Sequence, residues 1–103
     1  MKRKNILIIN ICKEKLHYQE FVKPIESIVE GVGANCEVKH YSKINSSDVA
    51  KAHAIIICGT SLKDNDFANH ASNFIWLKDC RKPVLGICGG MQIIGIVLAG
   101  ADC

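Results

Sequence analysis

The chain has 103 residues, 49% of them hydrophobic and 22% charged, with 13 basic against 10 acidic side chains and a net charge of +3. That length predicts one domain, 1–103, with a single core, small for an enzyme. Basic residues are dense only at Lys2-Arg3-Lys4 and Arg81-Lys82, which reads as solvated strand ends and not as the sustained stripe of a nucleic-acid binder.

Asn5 to Ile11 is rich in branched aliphatic residues and predicts a buried strand, followed by a polar loop from Cys12 to Lys15. Phe21, Val22, Ile25, Ile28, Val29 and Val32 recur at helical steps and predict the apolar face of an amphipathic helix. Pro24 fits only a first turn, so the regular helix is expected to start near Val22, with Leu16 to Glu20 a looser lead-in and Gly31 and Gly33 its stop. Cys36 to Tyr41 reads as a strand near a sheet edge. Asn45-Ser46-Ser47-Asp48 offers an N-cap for a short helix ending near Ala52. Ala54 to Cys58 is a third strand, closed by Gly59-Thr60-Ser61. Ala68 to Lys78, with Ala71, Phe74, Ile75 and Leu77, reads as another helix. Pro83 opens a last strand that gives way to a helix over Met91 to Leu98.

Strands alternating with helices at these lengths predict crossover units, hence an α/β, three-layer, mostly parallel sheet in flavodoxin-like order. Ligands bind beyond the carboxyl ends of such strands, where Gly59-Thr60-Ser61 and Cys88-Gly89 both fall. Pro83 to Ala101 is uncharged for nineteen residues, long enough to cross a bilayer. Pro83, Gln92 and five glycines divide it, so a central strand covered on both faces is the reading preferred over a membrane span.

The six cysteines, at 12, 36, 58, 80, 88 and 103, are widely spaced with no Cys-x-x-Cys or His-x-x-x-His pair. They read as reduced thiols without a metal site, and with no secretory leader in view the expected compartment is the cytoplasm.

Leu85-Gly86-Ile87-Cys88-Gly89-Gly90-Met91-Gln92 sets a thiol on a sharp strand-to-helix turn. There the side chain stands clear of the sheet, and the helix N-terminus favours the reactive thiolate. Gly86, Cys88, Gly90 and Gln92 resemble, in register, the Gly-x-Cys-x-Gly-x-Gln nucleophile segment of class I glutamine amidotransferases. The resemblance implies that Cys88 attacks the side-chain amide of L-glutamine, that the Gly89 amide is one oxyanion donor, and that Gln92 helps hold the substrate. Cys58-Gly59-Thr60-Ser61 is similar to the family's Ser-Gly-Gly-Pro oxyanion loop in its first two positions, which makes Gly59 and Thr60 the candidates for the second donor.

The family's catalytic His-x-Glu has no counterpart. His17, His40, His53 and His70 all lack a glutamate two positions on, and fifteen residues follow Cys88. The resemblance therefore implies the N-terminal half of a catalytic domain, truncated to about four strands and inactive alone. It further implies a synthetase subunit or the missing C-terminal half as partner, self-association as an alternative, and no cofactor. A cysteine hydrolase or redox protein of the same superfamily, or a non-catalytic interaction subunit, stays open. A flavin site would need a hydroxyl-rich loop after the first strand, and a response regulator an aspartate where Cys58 stands; both fare poorly.

Overall fold

Ile6, Leu7, Ile8 and Ile9 lie at the centre of the first strand in the computed structural model, which describes residues 4–12, 15–59, 66–87 and 89–99, backbone only at 15–17, 66–71 and 99. This strand, β1 (Asn5–Asn10), pairs in parallel with β2 (Asn35–His40) on one side and β3 (Ala54–Ile57) on the other, and β3 pairs in parallel with β4 (Val84–Gly86). The order β2-β1-β3-β4 is the predicted flavodoxin-like one.

Side chains alternate between two faces. Ile8 and the partly buried Ile6 and Ile56 meet Val22, at the junction of α1 (Lys15–Phe21) and α2 (Lys23–Gly31), and Val29 of α2. Leu7, Ile9, Ile55 and Ile57 meet Tyr41, Ala52, Phe74, Leu77, Ile93 and Val97, carried by α3 (Ser46–Lys51) and its flanks, a 3₁₀ helix (Asp66–Asp79) and α4 (Gly89–Ala99). Each of these fully buried isoleucines contributes roughly 1.5–3 kcal/mol of transfer free energy.

Several sequence expectations are corrected. The lead-in before Val22 is itself helical, and the break falls at Val22 because Pro24, in the first turn of α2, has no N–H to give the Glu20 carbonyl. Ile28 and Val32, assigned to the buried face, are 64% and 79% exposed; the inward stripe runs instead through Phe21, Val22, Ile25 and Val29. The segment expected as an ordinary helix over 68–78 is 3₁₀. Phe74, Leu77 and Cys80 lie three residues apart, the 3₁₀ repeat, and line up on the core, while Ile75 is 56% exposed. The last strand is not central among the described strands: β4 is an edge, and Leu85 is 58% exposed. β2 lies at the other edge, as predicted. The N-cap at Asn45 is present with a full capping box to Asp48. No helix among the described residues is long and apolar enough to cross a membrane.

Candidate active site

At the carboxyl edge of the sheet the ladder continues past the strands. The Cys58 N–H donates to the Ile9 carbonyl at 3.0 Å, and the Ile87 N–H donates to the Ile57 carbonyl at 3.0 Å. The Gly90 N–H then donates to the Ile87 carbonyl at 2.9 Å, and α4 starts at Gly89. The loops leaving β3 and β4 thus emerge side by side.

Two glycines make this corner possible. A Cβ on Gly86 would lie 2.7 Å from both the Gly90 carbonyl carbon and the Met91 nitrogen, and a Cβ on Gly90 would collide with the backbone carbonyl of Ile57. The first turn of α4 therefore rests directly on the ends of β3 and β4, and only residues without a Cβ permit that approach. Gly89 and Gly90 are both buried. Amides of a first helical turn have no intrahelical acceptors and face a developing anion favourably. Gln92 follows on the exposed side of α4.

On the β3 side, Cys58 is fully buried and its thiol pKa is pushed up to about 12, first by burial and second by the neighbouring Cys12. It is a protonated packing group at neutral pH, not a nucleophile. Gly59 is buried beside it, and its carbonyl accepts from the Cys12 thiol at 3.7 Å. The Cys12 N–H donates to Asn10 Oδ1 at 2.8 Å, and its carbonyl lies 3.1 Å from His40 Nε2. His40 Nδ1 accepts from the Ser42 N–H at 3.3 Å, so Nε2 carries the proton and donates to Cys12.

Of the residues singled out in the sequence, Gly59 and Gly89 come to the same end of adjacent strands, and Gln92 is exposed on the first turns of α4. Cys88 and Thr60 lie outside the described residues. The sequence reading passed over Cys12, Asn10 and His40. The signal was the register: Ile9 pairs with Ile57, which carries the residues just past β1 alongside the loop just past β3. His53 is excluded from the site, since its Nδ1 accepts from the Asn5 N–H at the amino end of β1. The side chains of His17 and His70 lie outside the described residues.

A cavity of about 210 Å³ lies between the starts of β1 and β2 and α3, at the opposite end of the sheet, with Asn5, Asn35, Glu37 and Lys51 among its lining residues. Glu26, Glu30 and Cys36 bring one potential metal-ligand atom each within 4.8 Å of one another. Lys23 pairs with Glu26 at 3.3 Å, and burial followed by the two glutamates raises the Cys36 thiol above its ordinary value, disfavouring the thiolate a metal would need. Among the described residues Cys12, Cys36, Cys58 and Cys80 form no disulfide.

The sequence profile of the family described as Glutamine amidotransferase class-I matches residues 17–101. No curated protein gives a significant sequence match. Among solved structures, a protein from Thermoplasma acidophilum assigned as a GMP synthase subunit superposes with a TM-score of 0.74 at 16% identity, over 96% of this chain and 47% of that one. A glutamine amidotransferase from Thermotoga maritima superposes with a TM-score of 0.61 at 18% identity, over 96% of this chain and 44% of that one. The chain spans about half the length of these two proteins, and at such identities the likeness concerns the fold.

Proposed function

This chain belongs to the class I glutamine amidotransferase family, and we propose that residues 1–103 are one partial domain carrying the nucleophile half of a cytoplasmic glutaminase that feeds ammonia to a synthetase. The observation that carries this reading is the seat of α4 on the ends of β3 and β4, where Gly86 and Gly90 admit the helix against bare backbone. That is the support a strand-to-helix nucleophile turn requires.

In this reading the Cys88 thiolate attacks the side-chain carbonyl carbon of glutamine, and the oxygen becomes an oxyanion held by the Gly89 amide and an amide of the Gly59-Thr60 loop. Collapse expels ammonia, its nitrogen receiving a proton, and leaves a γ-glutamyl thioester on the sulfur. Water then cleaves the thioester, giving glutamate and restoring the thiol. Gln92 holds the bound glutamine, and no cofactor takes part. The general base that forms the thiolate and passes its proton to ammonia comes from the other half of the domain. Family membership, the outer position of β4 among the described strands and the exposed Leu85 together support a protein partner there.

The test is alkylation and turnover on the purified chain. The chloroketone analogue of glutamine, 2-amino-4-oxo-5-chloropentanoate, is expected to label Cys88 saturably, with glutamine protecting, while glutamine releases no ammonia. Failure to label Cys88 overturns the glutaminase reading. Ammonia release that Cys88→Ser abolishes overturns the need for a second half.

A further inference from the structure

At the amino end of the sheet, an acid and a base line one cavity of about 210 Å³ and do not pair with each other. Asn5 stands beside Asn35, Leu7 beside Glu37 and Ile9 beside Lys39 in the β1–β2 register, so the alternation of the strands sets Asn5, Asn35, Glu37 and Lys39 on the face of Leu7 and Ile9. That is the face α3 covers: Leu7 and Ile9 share a core with Ala52 and the half-buried Val49, and Lys39 reaches Asp48 of α3 at 2.7 Å. Of the charges lining the cavity, one is already matched. Asp48 is 7% exposed and gives one carboxylate oxygen to Lys39 and the other to the Asn45 N–H. Glu37 lies 3.7 Å from the Lys39 ammonium, beyond ordinary hydrogen-bond reach, and keeps its acceptors. Lys51 forms no ion pair among the described residues; its charge reaches Asp48 only through space, as the last of the influences that lower that carboxyl. Asn35 Nδ2 donates to Asn5 Oδ1 at a long 3.4 Å, which leaves one amide donor and one acceptor of the pair for another partner.

We propose that this cavity binds a small zwitterion, an α-amino acid, with Glu37 receiving its ammonium, Lys51 its carboxylate and the Asn5 and Asn35 amides the remaining hydrogen bonds. A simple anion entering here meets the carboxylate of Glu37 and a simple cation meets Lys51, so each is opposed by one like charge; a molecule carrying both groups satisfies both walls. The volume falls below the roughly 300–1,000 Å³ of pockets that hold drug-sized ligands, which suits the main-chain groups of an amino acid with a short side chain. The six residues of β1 from Asn5 to Asn10 set the cavity roughly 16 Å from the carboxyl ends of the strands. It is thus a separate site from the strand-to-helix turn, and the inference stands apart from the glutaminase reading.

The experiment titrates the isotopically labelled full chain with L-alanine, acetate and methylammonium, followed by amide NMR shifts. L-Alanine is expected to shift the amides of Asn35, Glu37, Lys51 and Ala52 saturably with a Kd of about 1 mM. Acetate and methylammonium, which each carry half of the zwitterion, bind about tenfold more weakly or not at all. Glu37→Gln and Lys51→Met each weaken L-alanine about tenfold, whereas Lys51→Arg keeps the charge and stays within about threefold of wild type. Both positions are exposed, and unshifted amides in β3 and α4 show that the variants are folded. Acetate binding as tightly as L-alanine, an unaltered L-alanine affinity in Glu37→Gln or Lys51→Met, loss of binding in Lys51→Arg, or no saturable shift at these amides overturns the inference. None of these results touches the glutaminase reading, which stands or falls on the labelling of Cys88.

Discussion

Around β2 the sheet is finished with charge, and around β4 with backbone laid on backbone. At the first corner Asp48 accepts from Lys39 at 2.7 Å and from the Asn45 N–H at 3.0 Å, while the Asp48 N–H donates to Asn45 Oδ1 at 3.0 Å. Lys82 adds a tether, donating to the Val49 and Ala50 carbonyls at the end of α3, each at 2.6 Å. At the second corner, Gly86 and Gly90 let α4 touch the strand ends. Side-chain bonds at a corner can be lost one at a time, whereas a glycine contact has no partial version. The charged corner should therefore respond to mutation and pH in small steps, and the glycine corner all at once.

The largest effect should come from α4, and it inverts an ordinary rule. Alanine normally stabilises a helix relative to glycine by about 0.5–1 kcal/mol. At Gly95, where a Cβ meets nothing within 4 Å, Gly95→Ala should raise stability by about that much. At Gly90 the same substitution drives a methyl into the Ile57 carbonyl and should cost about 3 kcal/mol or more. Urea unfolding of both variants checks the pair. Equal signs at the two positions would mean that α4 does not rest on β3.

How much of this was legible beforehand divides along the same line. The strand run at Ile6 to Ile9, the N-cap at Asn45 and the small residues at Gly86 and Gly90 are local signals, and the structure carries all three. What the sequence hid depends on neighbours. Ile28 and Val32 satisfy the helical period yet face solvent, because a period does not say where the sheet stops covering the helix. The 3₁₀ helix was missed because Phe74 and Leu77 fit steps of three as well as a 3.6-residue turn. Cys12 and His40 carry no motif at all; only the β1–β3 register brings Cys12 to Gly59, and the side-by-side exits of β1 and β2 bring His40 to the Cys12 carbonyl.

Next in size is Asp48. Lys39 first, then the Asn45 amide, hold its carboxyl below the ordinary 3.8. A depressed folded value means that the carboxylate contributes stability above the ordinary carboxylate range and loses it as pH falls through the folded value. Asp48→Ala removes the acceptor of the capping box and leaves Lys39 without its closest partner, and should cost about 1–2 kcal/mol at pH 7. It should also flatten the acid limb of a thermal-melting profile. An unaltered acid limb would assign acid sensitivity to some other carboxylate. Lys82→Met, which frees two carbonyls at the end of α3, should cost less, about 0.5–1 kcal/mol, read by the same melts.

The smallest effect on stability, and the sharpest on association, is expected at Leu85. It lies on the outer strand, on the face that α1 and α2 cover near β1, and it is 58% exposed. Leu85→Glu adds charge to an exposed position and should shift the unfolding free energy by no more than about 0.5 kcal/mol. If that outer strand receives the rest of a catalytic domain, a buried carboxylate there would have to be desolvated without a counter-ion, which costs several kcal/mol. Mixing the chain with a polypeptide carrying a family-type second half, and following the complex by size-exclusion chromatography, should show binding for wild type and loss of it for Leu85→Glu. Equal binding by both would move the docking edge away from β4 and leave the exposed leucine as an ordinary surface side chain.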